Sequence, residues 1–208
     1  MSAPAVTIVD YGLGNILAFA NLFRRQNVEV AVARSADELS QATRIILPGV
    51  GAFDHAMERL EASGMRQVLD ELVQGKRTPV LGVCVGMQIL GDASDEGTRP
   101  GLGWISGWVR GFATDPASKE LPLPHMGWND VAPVAGHSLF AGLEQDARFY
   151  FLHSFFFACD KPEHVAAHAQ YGVDFACAVS AGCVHGVQFH PEKSHRFGER
   201  LLKNFAEM

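Results

Sequence analysis

A doubly wound α/β fold, with a mostly parallel sheet and a C-terminal antiparallel extension, is what this sequence predicts. Three observations carry that expectation. Short apolar runs alternate with helix-period segments through residue 90, the pattern of parallel strands with covered faces. Strand-like runs then dominate, with little helix between them. A final amphipathic segment closes the chain, with Phe197, Leu201 and Phe205 on one stripe.

Val6-Thr7-Ile8-Val9 reads as a buried strand ended by Asp10 and Gly12, and Ile16, Ala20 and Phe23 recur at helical spacing after it. Val28 to Ala33 and Ile45 to Leu47 read as the next two strands, the latter stopped by Pro48-Gly49. Met57 to Leu72 gives two helical pieces broken near Ser63-Gly64. Pro79 to Val83 is a fourth strand, and Met87 to Leu90 begins a short helix. Residues 92–101 form a polar, glycine-rich loop. Trp104 to Phe112, Arg148 to Ala158, His164 to Ala169, Val173 to Val179 and Val184 to Phe189 read as strands, and His195 to Met208 as a helix. With no repeat and no low-complexity linker, the 208 residues are expected to form a single domain spanning 1–208.

Composition narrows the function classes. Hydrophobic residues are 48% and charged residues 19%, which excludes a disordered chain. Lysine plus arginine is 17 against 23 acids, a net charge of −6, so neither nucleic acid nor an anionic membrane is an expected partner. Residues 1–9 lack the basic and apolar regions of a signal peptide, and no stretch approaches the ~20 apolar residues of a membrane span. Cys84, Cys159, Cys177 and Cys183 show no Cys-x-x-Cys spacing, so a cytoplasmic protein with small buried thiols is expected.

The strongest chemical signal is Gly82-Val83-Cys84-Val85-Gly86. Glycines two residues either side of a nucleophile permit a sharp strand-to-helix turn that lifts its side chain clear of the sheet. The following helix would then favour the reactive thiolate at its N-terminus. The pentapeptide alone also fits a buried cysteine at a glycine-rich turn. A base is needed elsewhere, and His190 in Val187-Gln188-Phe189-His190-Pro191-Glu192 ends an apolar strand, where open α/β sheets collect catalytic groups. Pro191 keeps His190 extended, so His190 and Glu192 point to one side, and a carboxylate there can fix the imidazole tautomer. Pro48-Gly49-Val50-Gly51 at another strand end offers backbone N–H groups for a developing oxyanion, or simply a turn.

Other patterns point elsewhere and fall short. Gly12-Leu13-Gly14 lacks the third glycine of a dinucleotide fingerprint, since Leu17 stands there. His164 and His168 have zincin spacing, but Val165-Ala166-Ala167 between them supplies no glutamate base. His55, His125 and His137 show no partner pattern and are expected at the surface or in turns.

Gly82-Val83-Cys84-Val85-Gly86-Met87-Gln88 and Gln188-Phe189-His190-Pro191-Glu192-Lys193-Ser194 resemble the signatures of class I (triad) glutamine amidotransferases. Asp10-Tyr11-Gly12-Leu13-Gly14-Asn15, Pro48-Gly49-Val50-Gly51-Ala52-Phe53, Pro124-His125-Met126-Gly127-Trp128-Asn129 and Tyr150-Phe151-Leu152-His153-Ser154 narrow the resemblance to the glutaminase subunits of imidazole glycerol phosphate synthases. One departure is Val85, where leucine is common after the nucleophile.

The resemblance implies Cys84 as nucleophile, His190 as base and acid, and Glu192 as its orienting partner. It implies Val50 and Val85 N–H groups as the oxyanion hole, and Gly49, Gly51, Gln88, Ser154 and Phe155 as glutamine contacts. Asn15, Met126, Trp128, Tyr150 and Lys193 fall in motifs implied to face a (β/α)8 cyclase partner in a heterodimer, where ammonia leaves. No cofactor and no metal are implied. Competing readings are another triad subunit, such as that of pyridoxal phosphate synthesis, a non-catalytic regulatory module, and a free-standing γ-glutamyl or peptide hydrolase. The Met-Gly-Trp-Asn run argues against the first, and the intact Cys84, His190 and Glu192 against the second.

Overall fold

The computed structural model describes residues 5–208, so the head of the 1–9 segment and of the 1–208 domain lies outside the described residues. The elements are β1 (Val6–Val9), α1 (Ile16–Arg25), β2 (Val30–Ala33), α2 (Ala36–Leu39), β3 (Ile45–Gly49), α3 (Phe53–Ala62) and α4 (Arg66–Asp70), which runs on into a π turn, then β4 (Val80–Cys84) and α5 (Val85–Gln88). There follow β5 (Ala93–Ser94), β6 (Gly107–Gly111), β7 (His125–Asp130), β8 (Ala132–Pro133), β9 (Arg148–His153), β10 (Phe155–Cys159), β11 (Val165–Tyr171), β12 (Val173–Ala181), β13 (Val184–Val187) and α6 (His195–Glu207).

One large sheet runs β2-β1-β3-β4-β13-β12-β10-β6-β5, with β11 beside β12 and β8 beside β11. β2 through β13 in that order are parallel, and β12, β10 and β6 continue antiparallel. The expected antiparallel extension is therefore part of the same sheet. The central strands β1, β3, β4 and β13 are buried along their whole length, which is why they read as continuous apolar runs rather than alternations. Two helices show how the flanks are tied down. α1 starts under the Asn15 side chain, which accepts the Ala18 N–H, and carries Arg24 and Arg25 in its last turn. α6 buries Leu201, Leu202 and Phe205.

Several sequence expectations need correction. Arg148 to Ala158 is not one strand: β9 and β10 belong to different sheets, and Ser154 is the break. β9 pairs antiparallel with β7 in a separate two-stranded sheet. β7 was not expected, because glycine, asparagine and aspartate interrupt its apolar alternation. α2 was also missed, although its start is capped: Ser35 Oγ accepts the Glu38 N–H at 3.3 Å, and Glu38 Oε2 reaches back past the cap to accept the Arg34 N–H at 2.7 Å. The strand expected over Trp104 to Phe112 is confined to β6. The helix expected from Met87 begins earlier, at Val85. Among the described residues no helix is long and apolar enough to cross a membrane.

Candidate active site

β3, β4 and β13 are neighbours, all parallel, so their carboxyl ends lie together at one edge of the sheet. β3 ends at Gly49, directly opposite Cys84 at the end of β4. β13 ends at Val187, three residues before His190. Segments far apart in sequence thus converge on one spot.

Cys84 has φ 56° and ψ −116°, a left-handed backbone that a residue other than glycine adopts at a steric cost. It is the pivot of a sharp strand-to-helix turn, because α5 begins at the next residue. The turn fits against β3 only because Gly86 has no side chain: a Cβ there would stand 1.9 Å from the Leu47 carbonyl oxygen. Tyr11, buried at the end of β1, donates its hydroxyl to the Pro48 carbonyl at 2.7 Å and braces the strand that precedes Val50.

The side chains of His190 and Glu192 are both buried, and Glu192 Oε1 lies 2.8 Å from His190 Nδ1. Burial alone would push the His190 pKa down. Attraction of the imidazolium to the charges that Cys84 and Glu192 can carry, together with the Nδ1 hydrogen bond to Glu192, overcomes that and raises it to about 9. Nε2, the other ring nitrogen, is buried with no hydrogen bond. Gln188, fully buried, turns its amide Nε2 toward Cys84 Sγ at 3.9 Å.

A cavity of about 300 Å³ opens over the thiol, and Cys84, Val50, Gly51, Val85, Gln88 and His190 all line it. Ser154, Phe155 and Lys193 line it too, together with Glu96, Pro124, Leu152 and His153. The structure therefore gathers the expected nucleophile, base, oxyanion and substrate positions around one space. Gly49 sits just behind, at the close approach of β3 to the Val85–Gly86 backbone. Gln88 is not wholly free for a ligand, because its Nε2 donates to the Phe155 carbonyl at 3.3 Å and to Gln188 Oε1 at 3.0 Å.

Glu96 is a cavity residue that sequence reasoning missed. It sits in the polar loop after α5, and its Oε2 accepts the Phe53 N–H at 2.8 Å, the first residue of α3. Locally its N–H bonds only to Ser94 Oγ at 3.1 Å; the long-range contact to Phe53 is what holds its carboxylate, and no local motif announces it. His125 is a correction: it is 4% exposed and stacked on Tyr171, not at the surface. Burial pushes its pKa down to about 4. His55 is exposed and His137 half-buried. His168 pairs with Asp174 at 2.8 Å, and among the described residues no group of three or more His, Cys, Asp or Glu side chains is placed to hold a metal.

A model of the family "Glutamine amidotransferase class-I" matches residues 7–208. The chain belongs to the class-I glutamine amidotransferase family. This amidotransferase is 63% identical, over 98% of its length and 100% of the relative's, to "Imidazole glycerol phosphate synthase subunit HisH" of Bdellovibrio bacteriovorus. It is 48% identical to the subunit of the same name from Leptospira interrogans, with 98% and 100% covered. Among solved structures, a protein described as a glutamine amidotransferase aligns with a TM-score of 0.76 at 19% identity, covering 98% of this chain and 97% of that one. PurLQS from Thermotoga maritima aligns with a TM-score of 0.71 at 18% identity, covering 99% of each. These two likenesses establish the amidotransferase fold.

Four of the residues expected at a partner face, Met126, Trp128, Tyr150 and Lys193, fall on one surface of the amidotransferase. The β7–β9 sheet has two sides. His125, Asn129, Phe149, Phe151 and His153 turn inward, whereas Met126, Trp128, Tyr150 and Leu152 turn outward. Met126 is 65% and Trp128 40% exposed, and the Lys193 ammonium sits 5.6 Å from the Tyr150 ring at the cavity mouth. Asn15 is exposed as well, but its side chain is engaged as the α1 cap.

Proposed function

We infer that this chain is the glutaminase subunit of an imidazole glycerol phosphate synthase. The observation that carries the reading is the placement of Cys84 and His190 on one cavity, with Glu192 paired to His190 behind it, in a chain 63% identical to a subunit of that name.

Glutamine enters with its side-chain amide over Cys84. His190 takes the thiol proton, and the sulfur attacks the amide carbon. Val50 and Val85 N–H groups are assigned to the oxyanion of the tetrahedral intermediate. His190 returns the proton to the departing ammonia, leaving a cysteinyl thioester. Water, activated by the same imidazole, cleaves the thioester and releases glutamate. Glu192 holds Nδ1–H and stabilises the imidazolium that forms twice in the cycle. Gln88 and the Ser154–Phe155 backbone are assigned to the α-amino and carboxylate end of glutamine. Glu96, the acidic group on that wall, suits the α-ammonium.

The curated relatives carry the word subunit in their names, and the exposed apolar face beside the cavity gives this chain a surface for a partner. The partner proposed is a (β/α)8 cyclase subunit in a heterodimer, which takes the ammonia through Met126, Trp128, Tyr150 and Lys193 and makes imidazole glycerol phosphate and an aminoimidazole carboxamide ribotide. The reaction as written needs no cofactor. We further propose that residues 1–208 work as a single domain, supported by the continuity of the large sheet, and that the protein is cytoplasmic, supported by its four free cysteines.

A glutaminase assay with and without the cyclase and its acceptor nucleotide tests the reading. Glutamate release that rises with both present is expected. No release in the full complex with acceptor would overturn it.

A further inference from the structure

One wall of the Cys84 cavity holds a buried histidine that the reaction above does not use. His153, 6% exposed, has both ring nitrogens engaged. Nδ1 lies 2.8 Å from the carbonyl oxygen of Phe155, which can only accept, so His153 carries a proton on Nδ1. Nε2 lies 2.9 Å from Nδ1 of His125. His125 Nε2 in turn lies 3.3 Å from Asn129 Nδ2, which is a donor by necessity, since Asn129 Oδ1 accepts the Asp130 N–H at 2.8 Å. The second hydrogen of that amide goes to the Gln170 carbonyl at 2.8 Å. His125 Nε2 must then accept, His125 Nδ1–H must donate, and His153 Nε2 must accept.

Both ends of the chain Asn129–His125–His153–Phe155 thus fix every proton in it, and both imidazoles are neutral Nδ1–H tautomers. This is the reverse of the tautomer that free imidazole side chains prefer in water. The surroundings favour neutrality as well. His125 stacks between Phe151 and Tyr171, and His153 meets the edge of Phe112. Burial lowers the His125 pKa to about 4 and that of His153 to about 3.

The chain ends on backbone that lines the cavity. The Phe155 carbonyl receives His153 Nδ1–H on one side and Gln88 Nε2–H on the other, which uses both its lone pairs. The adjacent Ser154 carbonyl accepts the Phe112 N–H at 3.1 Å. The break between β9 and β10 is thereby held in one conformation. We propose that His153 is a positioning residue for glutamine: it fixes the Ser154–Phe155 segment against the Cys84 cavity, and His125 and Asn129 dictate the tautomer with which it does so. The inference rests on the glutaminase reading of that cavity.

Ring ¹⁵N shifts of the wild-type complex at neutral pH test it without any substitution. His125 and His153 should both appear as neutral Nδ1–H forms; an Nε2–H tautomer or an imidazolium at His153 overturns the inference. Steady-state kinetics with cyclase and acceptor supply the second arm. His153→Leu, which removes the donor to Phe155, should raise the KM for glutamine about 10-fold, with a smaller change in kcat. His153→Asn keeps an amide N–H near the Nδ1 position and should recover most of that loss. His125→Phe keeps the stacking but not the proton, and should raise KM less than His153→Leu while shifting the His153 ring signals. Unchanged KM in His153→Leu, or no recovery in His153→Asn, overturns the inference. If His153→Leu does not melt cooperatively, the ring signals and His125→Phe decide it. Failure of the glutaminase reading shows separately, as absent glutamate release in the wild-type complex.

Discussion

His190 Nδ1 and Glu192 Oε1 stand 2.8 Å apart, with neither side chain more than 5% exposed. A carboxylate this deeply buried has its partner in the imidazole, and the imidazole has its tautomer from the carboxylate. Glu192→Gln keeps the shape and removes the charge. It is expected to lower kcat while leaving the KM for glutamine near its original value. Cys84→Ala removes the acyl-enzyme step and should cost on the order of 10³-fold or more, with ammonium-dependent synthesis by the partner intact. Steady-state glutaminase assays rank the two, and a Glu192→Gln loss equal to that of Cys84→Ala would show that the carboxylate does more than orient.

Gly86→Ala should fail for a steric reason. The new Cβ would meet the Leu47 carbonyl at 1.9 Å, and both β3 and α5 are packed too tightly to yield. A loss of about 1–3 kcal/mol is expected from overpacking of this kind. Turnover should fall further than stability, because the displaced atoms belong to the Cys84 turn. Urea unfolding and glutaminase rates on the same preparation check both parts.

Stability should decline in acid. Burial lowers the pKa of His125 to about 4, of His153 to about 3 and of His185 to about 4. Below the unfolded value of about 6.5, the unfolded chain binds protons that the native state refuses. Their contribution is therefore complete above pH 6.5 and is lost as pH falls toward 4, by up to about 1.4 kcal/mol per unit for each group. His190 has the opposite sign: raised to about 9, it stabilises fully below 6.5 and less as pH rises through 9. Urea midpoints should peak near pH 6.5–7 and drop by pH 5. A flat profile from 7 to 5 would mean that the three imidazoles take up protons within the fold.

Trp128→Ala tests the partner face. Trp128 is 40% exposed and stacks on His195 at 5.5 Å, so its loss should leave the isolated subunit folded. An aromatic at the centre of an interface carries much of the affinity, and dissociation constants about 10-fold weaker or more are expected. Calorimetric titration with the cyclase reads the change. Unchanged affinity and unchanged glutaminase coupling would remove this face from the interface.

The parallel half of the fold was legible because its central strands, β1, β3, β4 and β13, are buried on both sides and spell themselves out as apolar runs. The Cys84 turn was legible because Gly82 and Gly86 bracket the cysteine at the spacing that a tight strand-to-helix corner requires. The β7–β9 sheet was not, since Gly127, Asn129 and Asp130 look like turn residues until β9 pairs with them. His125 carries no local signal of burial; its environment is made by Phe151, Tyr171 and Phe175, all distant in sequence. Glu96 lay hidden in a polar loop for the same reason.

The pairing of β4 with β13 sets Val80 beside Val184, with about a hundred residues between them in the chain. Contacts this remote form late, because a long loop must close before they stabilise anything. On the ribosome the thiol therefore appears well before the imidazole that would activate it. An emerging chain carries a cysteine with no base, and the competent pair comes into being only when β13 slots between β4 and β12. In refolding experiments, recovery of glutamine hydrolysis should accordingly lag behind recovery of helical circular dichroism, so that turnover serves as a clock for the last seam of the sheet to close.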